Sequence, residues 1–567
     1  MRTIMHKVDL CVVGGGLSGV ATAISAARHG IRVVLMQDRP VLGGNASSEV
    51  RMWICGAHGE DNRECGILEE LICENFYLNR ARNYSVWDSV LYGAVKREEN
   101  ITLLLNTTCL DAVMDGKRIV SIKGWQLNAE TWHIVEATYF ADCSGDSILA
   151  PLTGAEYRMG REGKDEFGES IAPEVADKKT MGMSCMIQAR EMPTKRTFIK
   201  PEWAYTYETE EALSGHDHPP FKPLDKCTYW WMEIGGMADS LHDSDACRDE
   251  LLKIAFGVWD HIKNQGNHGA DNWELDWIGF LPGKRESRRY VGRYIVNEND
   301  VRSEGKFEDT VAYGGWSMDD HFPEGFYYKH GCSTIWHPAP SPWGIPWRAL
   351  YAKEIENLLF AGRNISVSHV ALSSSRVMAT CALLGQAVGT AVSEMCKKGT
   401  TPDTIDIPAL QALLMNDDCF LPGFSRTVPA VTKLAKCTAE IVRDGIERGE
   451  EHLWTGKAGD SVAYTFDAPT EISGIRLVFD SDLNRNWHNM PCGYPLEEET
   501  QYLPNTLVRD YQIVLTLADG TQRVIEKKDN YKRFVTLPVG ETVLAAELRP
   551  LTTWGSSEYR VFDFELY

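Results

Sequence analysis

Three groups of polar residues carry the side-chain types that move protons and orient substrates. Lys284, Arg285, Glu286, Ser287, Arg288 and Arg289 form a dense charged run beside the apolar Ile278-Gly279-Phe280. Strand alternation sends Arg285 and Ser287 to one face and Glu286 and Arg288 to the other. An arginine so placed can clamp a carboxylate or hydroxyls in two-pronged fashion. Trp316, Asp319, Asp320 and His321 form the second group. Its carboxylates and imidazole can bind sugar hydroxyls or act as a base, and its indole can stack on a sugar face. His369, followed by Arg376, is the third. An imidazole titrating near neutrality can take a hydroxyl proton as a hydride leaves the adjoining carbon. In the reverse direction, His or Arg would donate that proton. His369, Arg285, Arg376 and His321 are therefore the candidate catalytic residues, with His369 preferred. Each group also has a plain structural reading: a salt-bridged strand, a polar loop held by its own hydrogen bonds, and a histidine bonded to a backbone carbonyl. Two aspartates and a histidine on a loop are a weak metal signal, and no metal site is assigned.

A hydride needs a carrier, and the glycines point to one. Gly14-Gly15-Gly16-Leu17-Ser18-Gly19 lies between an apolar strand, Val8–Val13, and an alanine-rich helix from Leu17 to His29 that stops at Gly30. Gly14 permits the tight turn, Gly16 lets the backbone approach a diphosphate, and Gly19 lets the helix lie close to the strand. The helix N-terminus then offers unpaired N–H groups and partial positive charge, next to Leu17 and Ser18. After the second strand, Ile31–Met36, the acid expected on the ribose is replaced by Gln37, with Asp38 following; either can bond a hydroxyl. A second glycine pair follows in the loop that carries Arg39, Gly43, Gly44, Asn45 and Ser48. A nicotinamide enzyme does not need that pair, and the loop resembles the one that runs beside ribose, diphosphate and flavin in flavoproteins with two dinucleotide folds. Phe140–Asp146 ends a strand in Ser144-Gly145, and Leu358–Asn364 repeats the form with Gly362 and Arg363. A helix from about Ser375 to Lys398 then begins with Val377, Ala379 and Thr380, whose N-terminus would face the flavin edge where charge collects on reduction. Its small residues Ala379, Ala382, Gly385 and Gly389 admit close approach of a ligand or of another helix. The expected cofactor is FAD.

Five ordered phrases sharpen this: DRPVLGGNASSE (Asp38–Glu49), PGKRESRR (Pro282–Arg289), YGGWSMDDH (Tyr313–His321), IPWRAL (Ile345–Leu350) and the stretch Ala361–Gly389. By these the chain resembles, over roughly residues 1 to 400, the bacterial FAD-dependent oxidoreductase family met in carbohydrate-utilisation settings and sometimes misannotated as xanthan lyase. The wider resemblance is to glutathione-reductase-like flavoproteins. Arg363 stands where many of those place an FAD-binding aspartate. The resemblance implies a carbohydrate-like alcohol or polyol as substrate, with a separate electron acceptor or donor. A flavin reductase of an unsaturated acid, or a carbohydrate-binding protein with a vestigial dinucleotide domain, are the alternatives.

The elements that must position these residues follow from pattern and length. A chain of 567 residues divides into two or three domains. The fold class expected is an α/β Rossmann-type FAD-binding domain with an inserted α+β substrate domain, plus a C-terminal all-β sandwich. The boundaries are 1–155 and 346–425 for the first, 156–345 for the second and 426–567 for the third. In the last, alternating runs such as Ile472–Phe479, Tyr511–Leu517 and Tyr559–Tyr567 suggest roughly eight short strands and resemble galactose-binding-like or discoidin modules. Trp454, Trp487 and Trp554 are core or ligand platform there. A formal charge of −22 argues against nucleic-acid binding. Fifteen scattered cysteines, never spaced as CxxC, suit reduced thiols in a cytoplasm. No apolar stretch of signal-peptide or membrane-spanning length is seen, and a homo-oligomer is left open.

Overall fold

In the computed structural model, residues 1–213, 232–265, 268–485, 492 and 502–567 are described. The first strand, β1 (Arg2–Val13), ends in four buried residues. It turns at Gly14–Gly16 into α1 (Leu17–Arg28), nearly every residue of which is buried. β2 (Val33–Met36) then lies parallel to β1, with Leu10 opposite Val33. Helices α2 (Ile67–Leu78) and α3 (Tyr84–Arg97) precede β3 (Ile101–Leu104), which adds in parallel to β2. β1 begins earlier than its apolar run because β6 (Thr131–Asp142) runs beside its whole length, from Arg2 opposite Thr131 to Val13 opposite Asp142. β4 (Thr107–Asp115) and β5 (Arg118–Gln126) form the expected hairpin at Asp115-Gly116, and β5 pairs antiparallel with the first half of β6. The second half of β6 takes Leu358–Phe360 as a parallel neighbour. The resulting order, β3-β2-β1-β6 and onward, is a doubly wound Rossmann-type sheet whose crevice lies at the carboxyl ends of β1 and β6.

The helix expected from about Ser375 to Lys398 runs Met378–Lys398, and a short helix, His369–Ser375, precedes it across a 93° bend at Arg376-Val377. The longer helix packs along α1. A side chain at Gly385 would lie 2.1 Å from the Ser18 carbonyl oxygen and one at Gly389 would lie 2.3 Å from that of Thr22. The Ser25 and Thr390 hydroxyls meet at 2.7 Å. The small-residue stripe at Gly385 and Gly389 therefore serves helix–helix contact, not approach to a ligand. Among the described residues, no single helix is long and apolar enough to cross a membrane.

The insertion holds a second hydrophobic core, built from Met183, Ile187, Leu251, Ile254, Val258 and Trp259 with neighbours as far as Ile278, and closed by Phe326. The helix Ser244–Asp260 is its backbone. Tyr290, Tyr313, Trp343 and Trp347 belong instead to the main core.

The C-terminal part is mainly β, with a short α-helix, Ala430–Leu434, near its start. Among the described residues it has seven strands, two of them long: Val462–Phe479 and Phe534–Thr553. Their pairing is interrupted between Thr465 and Thr470. Phe479 meets Tyr511 at 5.1 Å and Tyr464 meets Phe564 at 5.1 Å within the core of this part. Trp554 donates to the Asn530 carbonyl at 2.8 Å and stands edge-on to Tyr77 of α2, so it is part of the junction; Trp454 packs on the core. Trp487 lies outside the described residues. The junction itself is polar. Buried Arg533 faces Asp418 at 3.2 Å, Arg476 donates to the Asn416 carbonyl at 3.0 Å, and Arg485 grips Glu69 of α2 at 2.6 Å.

Candidate functional site

A cavity of about 610 Å³ opens at the carboxyl ends of β1, β2 and β6, within the range of small-molecule and cofactor sites. Three glycine roles are visible in it. Gly14 has φ +103, and a side chain there would strike the Cys143 backbone at 2.5 Å. A side chain on Gly19 would lie 1.9 Å from the Gly14 carbonyl oxygen, so α1 packs on the strand turn only through glycine. At Gly16 a side chain would meet nothing within 4 Å, because the residue looks into the cavity. α1 starts there with no side-chain cap and no acid in its first turn. Its first N–H groups are thus directed at the space an anion would fill.

The surrounding loops complete the cradle. Gln37 Oε1 accepts the Gly15 N–H at 2.7 Å, so it braces the glycine turn from beneath, and Asp38 and Arg39 line the wall beyond it. Gly43 (φ +106) and Gly44 (φ +57) take left-handed conformations that favour glycine, which brings Gly44 against Gly16. Asn45 donates to the Lys284 carbonyl at 3.2 Å and joins this loop to the insert. On β6, buried Asp142 accepts from the Ser144 N–H and hydroxyl, the Leu149 N–H and the Tyr290 hydroxyl, which holds the Ser144-Gly145 turn. Asp146 binds both Arg363 (2.7 Å) and Lys284 (3.1 Å). Burial opposes its charge, but Arg363 and Lys284 outweigh that and hold its pKa at about 2. One carboxylate against two cations leaves a positive excess beside the Gly145 turn. The open face of Gly16, the bare helix end and this excess fit a dinucleotide diphosphate.

Gly14, Gly16, Leu17, Ser18, Gln37, Asp38, Arg39, Gly43, Gly44, Asn45, Ser144, Gly145, Gly362, Arg363 and Val377 all line the cavity. Four expected cofactor residues do not. Gly19 is behind the turn, and the Ser48 N–H donates to Asp88. The Ala379 N–H is taken by the Cys55 carbonyl, and the Thr380 hydroxyl points to Glu64 at 3.4 Å. Burial pushes the Glu64 carboxyl up to about 7.

At the insert's side of the cavity the polar groups form two linked pairs. Arg285 donates to Ser184 at 2.9 Å and faces Glu233 at 3.2 Å. Glu233 also takes His321 Nδ1 at 2.8 Å. A carboxylate only accepts, so Nδ1 carries the hydrogen and Nε2 is turned the other way, 3.5 Å from Asp319. Asp319 in turn accepts from Arg376 (3.2 Å), Trp316 (3.2 Å) and Thr334 (2.6 Å). Burial works against its charge, but the His321 and Arg376 contacts keep it well below the usual carboxylate range. Trp316 stacks on His58 at 4.4 Å, and Trp53 and Trp336 add further aromatic wall.

Arg285, Arg376 and His321 thus line the cavity, and His369 does not. It is the first residue of the His369–Ser375 helix, 2% exposed, with Nδ1 2.9 Å from Glu286 and Nε2 3.1 Å from Asp320. Burial disfavours its charge, but Glu286 and Asp320 overcome this and raise its pKa to about 10. A proton held that tightly makes His369 a clamp between chain segments and a poor base, contrary to the sequence expectation. Residues 285–288 lie between the short strands Gly283–Lys284 and Arg289–Tyr290; there Glu286 turns to His369, Arg285 lines the cavity and Ser287 bonds Asp146. Sequence reasoning missed Ser184, Glu233, His58 and Trp336. None sits in a motif; the only local signal is the Gly56–Gly59 turn around His58.

Residues 9–414 match the model of the family described as FAD dependent oxidoreductase. A 42-residue segment is 43% identical to the soluble pyridine nucleotide transhydrogenase of Marinobacter nauticus. It covers 7% of this chain and 9% of that relative, a small part of its length. A geranylgeranyl bacteriochlorophyll reductase-like structure from Thermoplasma acidophilum is similar over 73% of this chain and 85% of its own, at 10% identity and TM-score 0.34. A p-nitrophenol 4-monooxygenase from Pseudomonas putida is similar over 73% and 86%, at 10% and 0.32. A family 32 carbohydrate-binding module from Streptococcus pneumoniae covers 23% of this chain and 92% of its own, at 13% and 0.18. A family match across most of the chain, on a Rossmann-type sheet whose glycine turns shape a diphosphate cradle, leads to one conclusion: this chain belongs to the FAD dependent oxidoreductase family and is an FAD-dependent enzyme.

Proposed function

We propose that the enzyme dehydrogenates a hydroxyl-bearing, carbohydrate-like substrate held between the Arg285–Glu233 and Arg376–Asp319 pairs. FAD, when bound, supplies reversible acceptance of a hydride; the chain's own residues handle the substrate and the proton. The observation that carries the reading is charge balance. Both arginines facing the substrate side of the cavity are already neutralised by a carboxylate, so an anion gains little net attraction there. A neutral polyol gains both donors and acceptors, and Trp316, Trp336 and Trp53 offer flat faces for a sugar ring. His321, oriented by Glu233, takes the hydroxyl proton at Nε2, and Asp319 stabilises the imidazolium that forms. The cofactor is held by the Gly14–Ser18 turn, the 37–45 loop, Ser144, Gly145, Gly362 and Arg363, while the uncapped Val377–Met378 helix start lies at the cavity's far wall.

The same reading divides the chain at 1–155 and 346–425 for a glutathione-reductase-like cofactor domain, 156–345 for the substrate domain and 426–567 for a galactose-binding-like sandwich. The antiparallel pairing of its strands supports the last assignment. Anaerobic mixing of the purified yellow protein with sugars and polyols tests the function: a substrate bleaches the oxidised flavin. Failure of every polyol to bleach it, with re-oxidation of the pre-reduced protein by an unsaturated acid, overturns the proposal in favour of a reductase.

A further inference from the structure

Outside this cavity, the insert brings three metal-ligating side chains to one point. Glu210 opens the short turn Glu210–Leu213, His261 follows the helix Ser244–Asp260, and His268 lies just beyond. His268 Nε2 is 3.3 Å and His261 Nε2 is 3.5 Å from the same oxygen, Glu210 Oε1. One ligand atom from each residue falls within 4.8 Å of the other two. We propose that Glu210, His261 and His268 bind a divalent transition-metal ion of the zinc type.

The spacing suits such an ion. Ligands at about 2.0–2.1 Å in a tetrahedron stand roughly 3.4 Å from one another. Protonation supports it too. His261 Nδ1 lies 2.6 Å from the Tyr207 carbonyl, which only accepts, so Nδ1 carries the hydrogen. On the other side of the ring, Nε2 faces the Glu210 carboxylate. The Nδ1 contact is the outer hydrogen bond that orients metal-bound histidines and raises their basicity. The backbone contributes as well: at His261 the α-helix gives way to a π turn, His261–Gln265, a widening often found where a helix supplies a ligand. Both rings are buried, while Glu210 is 60% exposed, which leaves an entry path. A bound ion would tie the Glu210–Leu213 turn to the end of the insert's main helix. It would thereby brace the insert's core around Leu213, Trp259 and Ile262.

The test is calorimetric titration of chelator-treated, FAD-loaded protein with zinc chloride, alongside thermal melting with and without zinc. One ion per chain and a rise in melting temperature are expected. Loss of a direct ligand should cost at least the about 10–100-fold in affinity seen for outer-sphere changes, in His268→Ala and in Glu210→Gln. Glu210 is exposed, so Glu210→Gln keeps its fold, and unchanged flavin content verifies this. No stoichiometric uptake, meaning a proton alone fills the gap, overturns the proposal. So does uptake that both substitutions leave unaltered.

Discussion

Replacing Gly16 by alanine should separate cofactor binding from folding. Gly16 has φ −66 and ψ 179, which any residue can adopt, and its added methyl would meet no protein atom within 4 Å. The folded state should therefore change by no more than about 1 kcal/mol, the scale of a cap or surface substitution. The same methyl enters the space above the α1 N-terminus where the diphosphate must rest. Crowding a fitted group by one methyl costs about 1–3 kcal/mol, or roughly 10–100-fold in FAD affinity. Gly19→Ala is the contrasting change: its methyl would sit 1.9 Å from a backbone oxygen, and backbone cannot swing aside, so the protein itself should be lost. The assay is FAD titration of the apoprotein by flavin fluorescence quenching, with urea unfolding of both apoproteins. A Gly16→Ala protein that binds FAD as the parent does would refute the placement of the diphosphate. Equal destabilisation by the two substitutions would refute the geometry from which the contrast is drawn.

His321→Gln should retain flavin and fold but lose turnover by about 10²–10⁴-fold, the usual worth of a general base; stopped-flow reduction of the bound flavin measures it. His369 contributes differently. Its folded pKa of about 10 exceeds the ordinary 6.5, so its stabilisation is complete below pH 6.5 and disappears as pH rises through about 10. Thermal melts of His369→Gln should run below the parent at pH 6 and converge with it near pH 10. Glu64 has the opposite consequence: a carboxyl raised from 4.5 to about 7 penalises the fold as pH climbs through that window. Glu64→Gln should thus raise the melting temperature at pH 8 and leave it unaltered at pH 4. Arg533→Ala leaves Asp418 buried without its 3.2 Å partner. It should cost about 3–5 kcal/mol in urea unfolding, whereas Arg533→Met with Asp418→Leu should recover most of that.

Much of the cofactor cradle was legible because it is local. The β1–glycine–α1 turn involves neighbours in the chain, and Gly14, Gly16 and Gly19 take the three roles their spacing implies. The hairpin at Asp115-Gly116 and the end of β6 at Ser144-Gly145 are likewise written in short runs of residue type. Residue type could not say which partner a stripe or a histidine meets. Gly385 and Gly389 serve α1 across more than 350 residues of chain, which helical periodicity alone cannot distinguish from a ligand face. His369 and His321 have the same chemistry in sequence. Only folding put Glu286 and Asp320 around the first, away from the cavity, and Glu233 and Asp319 on either side of the second, at the cavity wall. The same holds for Glu210, His261 and His268, whose convergence depends on a helix end and a distant turn arriving together. Backbone conformation is governed by adjacent residues, whereas the charge and reach of a buried side chain are governed by whatever the tertiary fold packs against it.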